Sequence, residues 1–255
     1  MKPLKICFKT WSTNLKLFEQ AETLFQNKTI NFLEIYTVPG TFTQCQPYLQ
    51  KLTLPVILHA PHDKHNFNLA NPKRETSNLK IFEEIKQFAQ ELNFPKLIIH
   101  PGQGNLPQVF KVLEKVNYPH IIIENIAKLG VNHQECIGYS PAEIQKFLDK
   151  GHDFCLDFSH AIKTACSLNK DYKIYLQEFL KLKPFMFHLC DGHINHPIDE
   201  HLNFGEGDFD IQFLKQCIQQ NDNPIVTLEI PRQNHSSFQE DLVNLEYLNN
   251  LVVIS

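Results

Sequence analysis

Seven ionisable residues stand at the ends of short apolar runs in this 255-residue chain: Glu34, His59, His100, Glu124, Asp157, His188 and Glu229. Two further clusters lie beyond them. Asp157-Phe158-Ser159-His160 sets His160 about one turn past its strand-like run, and Asp199-Glu200-His201 spaces an acid and an imidazole two residues apart. In an extended stretch that spacing turns both side chains the same way. A single such residue is ordinarily a surface group or a satisfied hydrogen-bonding partner. Consecutive ones facing the interior of a fold would strand charge without compensation. A shared cation accounts for the set, because carboxylates bring charge and neutral imidazoles bring nitrogen ligands suited to zinc, manganese or iron.

These residues need a frame that brings them together. Runs rich in β-branched and aromatic residues recur at 4–8, 30–36, 55–59, 96–100, 120–124, 153–157, 185–188 and 224–229. Most are continuously apolar rather than alternating, as expected of parallel strands buried on both faces. Helical periodicity lies between them, at 14–26 and 76–92 most clearly. Ser140-Pro141-Ala142-Glu143 reads as a capping box with Pro at the first helical position, and Gly151 is placed to end that helix. Eight strands in 255 residues give about 32 residues per repeat, the size of a βα unit. The expected fold class is therefore α/β, a single (β/α)8 barrel of the TIM type spanning residues 1–255, with a doubly wound sheet as the alternative. In such a barrel the working residues sit at the carboxyl ends of the strands.

Composition narrows the function classes. The chain is 42% hydrophobic with 20 Phe, which excludes a disordered or coiled-coil protein. No apolar stretch reaches membrane-spanning length, and Met1-Lys2-Pro3 leads directly into a strand-like run, so neither a membrane span nor a signal peptide is expected. Seven scattered Cys without a CxxC pair point to reduced thiols and a cytoplasmic location. A net charge of −4 and only two Arg, Arg74 and Arg232, argue against coating nucleic acid by bulk charge.

From the third strand to the eighth, the sequence resembles the endonuclease IV and xylose isomerase-like barrel superfamily. The resemblance rests on His59-Ala60-Pro61, His100-Pro101-Gly102, Glu124-Asn125, Asp157-x-x-His160, His188-x-x-Asp191, Asp199-x-His201, Gly205-Glu206-Gly207 and Glu229. It implies a metal set of His59, His100, Glu124, Asp157, His160, His188, Asp199, His201 and Glu229, matching the nine ligands of a three-metal phosphodiester-cutting centre. The single-metal isomerases and epimerases of the superfamily would need only Glu124, Asp157, His188 and Glu229. Two features depart from the DNA-cutting pattern. The first strand, Ile6-Cys7-Phe8-Lys9-Thr10-Trp11, lacks a His motif, and no basic loop follows Glu34-Ile35-Tyr36. Position 62, where that branch has an aromatic residue, is His62.

The expected function is hydrolysis of a phosphoester at a centre of two or three divalent ions, zinc foremost, with manganese or iron as alternatives. Glu124, Glu229 and His160 are the expected catalytic residues. Arg232, His193, Glu34 and Trp11 are the candidates for contact with a small phosphorylated or sugar-like substrate, and DNA is the less favoured one. The alternatives are a single-metal sugar or sugar-phosphate isomerase, in which Glu124 and Glu229 shuttle a proton, and a metal-binding barrel without catalysis. Gly205 and Gly207 precede a helix that Asp208 is placed to cap, or whose N-terminus could hold an anion.

Overall fold

The computed structural model describes residues 2–93, 96–222 and 224–251. Its elements, in chain order, are β1 (Lys5–Trp11), α1 (Leu15–Gln26), β2 (Phe32–Tyr36), α2 (Phe42–Leu49), β3 (Val56–His59), α3 (Glu75–Gln90), β4 (Lys96–Ile99), α4 (Leu106–Val116) and β5 (Ile121–Glu124). They continue as α5 (Pro141–Leu148), β6 (Asp153–Asp157), α6 (Phe158–Ser167), α7 (Tyr172–Leu180), β7 (Met186–Leu189), α8 (Ile211–Gln219), β8 (Ile225–Leu228) and α9 (Gln239–Asn250). The strands pair in parallel in sequence order, and β8 closes onto β1 from Lys5↔Ile225 to Phe8↔Leu228. The sheet is thus a closed (β/α)8 barrel and not a doubly wound layer.

Strand period explains the continuous apolar runs. Successive side chains alternate between the two faces of a strand. One set, including Phe8, Leu33, Leu58, Ile99, Ile123, Leu156, Phe187 and Leu228, packs outward into the large core against the helices. The other set, Cys7, Ile57, Ile98, Ile122, Cys155, Met186 and Ile225, with Phe32 against it, forms a separate apolar plug inside the barrel. Advancing two residues along each strand from that plug gives Lys9, Glu34, His59, His100, Glu124, Asp157, His188 and Thr227. The interior therefore changes from wholly apolar to wholly polar within one side-chain step.

Most strand boundaries shift by a residue or more from the sequence reading, and three of these shifts bear on the site. β1 runs on through Lys9 to Trp11, because its polar residues pair with β2 as far as Trp11↔Tyr36. β4 ends at Ile99 and β8 at Leu228, so His100 and Glu229 are the first residues beyond their strands. Ser140 caps α5 as expected, accepting from the Glu143 N–H at 3.3 Å, and Gly151 adopts φ +85°. The cap expected at Asp208 falls instead to Asp210, whose carboxylate accepts from the Phe213 N–H at 3.0 Å. Asp208 is committed elsewhere, accepting from the Ile194 N–H at 2.6 Å across the loop after β7.

Candidate metal centre

Glu124 lies at the middle of the polar layer and is fully buried. Its Oε2 faces His59 Nε2 at 3.1 Å and His100 Nε2 at 3.0 Å. Its Oε1 faces His188 Nδ1 at 3.3 Å. On that side His188 Nδ1 also lies 3.2 Å from Glu229 Oε1 and 3.9 Å from Asp157 Oδ2. Ligand atoms of His59, His100 and Glu124 all fall within 4.8 Å of one another, and so do those of Glu124, Asp157, His188 and Glu229. One carboxylate belongs to both groups.

A third cluster adjoins them. Asp199 Oδ2 lies 2.9 Å from His201 Nε2 and 3.5 Å from His160 Nε2. Asp199 is steered by the Ser159 hydroxyl, which donates to its Oδ1 at 2.6 Å. The loop that carries it is fastened from below. Buried Lys163 donates to the His193 carbonyl and to Glu200, both at 2.8 Å, while Asp191 accepts from the Gly205 and Gly207 N–H groups at 2.8 and 3.1 Å. A Cβ on Gly207 would stand 2.4 Å from the Gly192 carbonyl oxygen, so only glycine fits that approach.

The nine side chains named as metal ligands from sequence thus converge in three adjoining groups. Their imidazoles are oriented for coordination. His59 Nδ1 lies 2.7 Å from the Ala60 carbonyl, His160 Nδ1 2.8 Å from that of Asn125, and His201 Nδ1 2.8 Å from that of Glu229. A backbone carbonyl can only accept, so each Nδ1 carries the hydrogen and each Nε2 is turned to the centre, the orientation usual for metal-ligating histidines. His188 is held the other way round. Its Nε2 donates to Glu34 Oε2 at 3.0 Å, which leaves Nδ1 toward the centre.

The donor set fits divalent ions. Burial, together with nearby Lys9, holds His59 below its ordinary pKa against the upward pull of Glu124. A neutral His59 with hydrogen on Nδ1 turns a bare lone pair toward Glu124 Oε2, two acceptors in contact with no proton between them. His100 Nε2, Glu124 Oε1 and His188 Nδ1 are likewise buried without a hydrogen-bond partner. Such groups are costly unless something bonds to them, and a bound ion is one partner that would satisfy all of them at once. Burial pushes the Asp157 carboxyl up to about 6 despite the opposing charge of His160, with Glu124 and Glu229 adding to the rise. The anionic crowding marks a place for added positive charge.

A chamber of about 250 Å³ opens above these groups, walled by His59, His100, His160, Asp199, His201 and Glu229 among others. Trp11, 41% exposed, stands at its mouth with its ring 5.7 Å from that of His235. Arg232 also borders the chamber, but its guanidinium is engaged by the buried Asp241 carboxylate and by the Lys9 carbonyl. Glu34 is fully buried beneath His188 and does not border the chamber, and His193 turns away to Glu200 at 2.7 Å. Lys9, Tyr36 and His62 also line the chamber, though none is among the site residues expected from sequence. Lys9 pairs with Glu34 and Glu229, Tyr36 accepts the His62 N–H at 3.1 Å, and His62 lies flat over His100 at 6.2 Å. The period-two step from Cys7 would have found Lys9, and His-Ala-Pro-His would have found His62.

No curated protein matches the sequence. Among solved structures, an endonuclease IV from Thermus thermophilus superposes with a TM-score of 0.68 at 19% identity, over 96% of this chain and 97% of that one. A D-tagatose 3-epimerase-like protein gives 0.65 at 18% identity, over 95% and 98%. Another Thermus thermophilus protein, from a crystal soaked with ZnCl2, gives 0.62 at 18% identity, over 97% and 98%. These likenesses concern the fold. Residues 30–248 match the model of the xylose isomerase-like TIM barrel family, and the chain belongs to that family.

Proposed function

We propose that the protein is a metal-dependent hydrolase of phosphoesters whose centre takes two or three divalent ions, zinc foremost. The observation that carries this reading is the position of Glu124, with one oxygen toward His59 and His100 and the other toward the Asp157, His188 and Glu229 group. A carboxylate shared in this way would be placed to serve two ions, one on each side. When bound, such ions bring the pKa of a coordinated water toward neutrality and draw charge from attacking and leaving oxygens, which suits in-line phosphoryl chemistry. His59 and His100 would hold the first ion. Asp157, His188 and Glu229 would hold the second, and His160, Asp199 and His201 a third.

The remaining residues position and select. Glu34 and Thr227 orient His188 from behind, and Ser159 orients Asp199. Trp11 and Arg232 border the mouth, where a small phosphorylated or sugar-like substrate would enter. DNA is the less favoured substrate, because Arg232 is held by Asp241 and no basic loop follows β2.

A second reading has its own support. The group of Glu124, Asp157, His188 and Glu229 is complete by itself, and a single-metal sugar isomerase or epimerase needs no more, with Glu124 and Glu229 moving the proton. Elemental analysis of the purified protein separates the two. Two or three equivalents of zinc, manganese or iron, reduced by one in Asp199→Ala or His201→Ala, support the hydrolase. One equivalent, unmoved by either substitution, supports the isomerase. Assays on small phosphodiesters, ketose phosphates and abasic-site duplex DNA then identify the substrate class.

A further inference from the structure

The anionic layer contains a third convergence of donors. Ligand atoms of Glu34, His59 and Glu229 also fall within 4.8 Å of one another. Of these only Glu34 lies outside the groups already assigned. Lys9 reaches into this corner from β1, with its ammonium 2.8 Å from Glu34 Oε1 and in contact with Glu229 Oε1. Its side chain is 19% exposed, while Glu34 is sealed from solvent. The second oxygen of Glu34 is saturated by Thr227 Oγ1 at 2.8 Å and His188 Nε2 at 3.0 Å. The ammonium therefore supplies the positive charge that this buried carboxylate requires.

Charge accounting makes the role specific. Glu34, Glu124, Asp157, Asp199 and Glu229 bring five carboxylates to the polar layer and the chamber over it, against which Lys9 is the one lysine or arginine ion-paired to them among the described residues. A buried charge left without a partner is strongly destabilising. An ammonium tethered by its own chain needs no uptake from solvent and cannot be removed by a chelator.

We propose that Lys9 is a resident cation of the centre, filling with its ammonium the Glu34, His59 and Glu229 corner that would otherwise accept a further divalent metal ion. The inference rests on the reading of this chamber as a metal centre, but not on the number of ions it holds. Lys9 thereby caps the metal count and keeps Glu229 directed to its own group.

The test is metal stoichiometry, read by zinc titration and elemental analysis after dialysis. Lys9→Met keeps the length of the stem and removes the charge. It should hold one equivalent of zinc more than the wild type, and Lys9→Met combined with Glu34→Gln should return to the wild-type count. An unchanged count in folded Lys9→Met overturns the proposal. Where Lys9→Met folds only with zinc supplied, Lys9→Gln provides the same reading, and its melting temperature should rise more with added zinc than that of the wild type. An equal rise, or failure of both variants to fold even with zinc present, overturns it. The count in the wild type judges the hydrolase reading, and the increment in the variant judges Lys9.

Discussion

Replacing Glu34 by Gln changes one buried atom and should weaken the proposed metal centre from behind. In the structure Glu34 accepts from His188 Nε2 at 3.0 Å and Thr227 Oγ1 at 2.8 Å on one oxygen, and its other oxygen is ion-paired with the Lys9 ammonium at 2.8 Å. A glutamine side chain has one acceptor and one donor end. If its oxygen faces His188, its NH2 group abuts the Lys9 ammonium. If it flips, NH2 faces both the Thr227 hydroxyl and the His188 N–H. Either orientation sets donor against donor: the first replaces the charge opposite Lys9 with a donor, and the second takes from His188 the partner that fixes its hydrogen on Nε2. Losing such an outer partner of a metal-ligating histidine costs roughly 10–100-fold in metal affinity. That corresponds to about 1.4–2.8 kcal/mol at about 1.4 kcal/mol per tenfold. The assay is competition for zinc against a chromophoric chelator at fixed pH, with circular dichroism confirming an intact barrel. Wild-type affinity in folded Glu34→Gln would refute the assignment of Glu34 as the residue that orients His188.

Two further outcomes are expected. In the metal-free protein burial pulls His201 downward, but Asp199 outweighs it and lifts the imidazole to about 10. The folded value lies above the ordinary one near 6.5, so this contribution to stability is complete below that pH and fades as pH climbs toward 10. Coordination needs the neutral ring, so zinc added to metal-free protein at pH 7 should release protons, measured in a pH-stat, and His201→Ala should release fewer. In the outer core, Phe158 is fully buried and stacked on Phe187 at 5.6 Å, so Phe158→Ala should lower unfolding free energy by about 3–5 kcal/mol in denaturant titrations.

Much of this centre was legible because a strand places its side chains with a period of two and a barrel gathers strand ends. His59, Glu124 and Asp157 could be read directly, since each closes its strand, and His188 sits one residue before the end of β7. Lys9 could not be read from hydrophobic runs. The residues Lys9-Thr10-Trp11 look like a loop, and they are strand because β2 supplies their hydrogen-bonding partners. The burial of Glu34 under His188 depends on which strands lie across the barrel from each other, and no local pattern encodes that. Asp208 was misread for a related reason: a carboxylate before a helix is a plausible cap, but tertiary contact with Ile194 claimed it.

The plug of Cys7, Ile57, Ile98, Ile122, Cys155, Met186 and Ile225 has a bearing on traffic. It gives the cylinder a floor, so the chamber is a cup with a single brim, and whatever reacts there must arrive and depart across the same lip. Molecules resembling a spent reactant should then obstruct newcomers by competition. On the proposed function, residues at the brim, Trp11 among them, would govern turnover as much as entry.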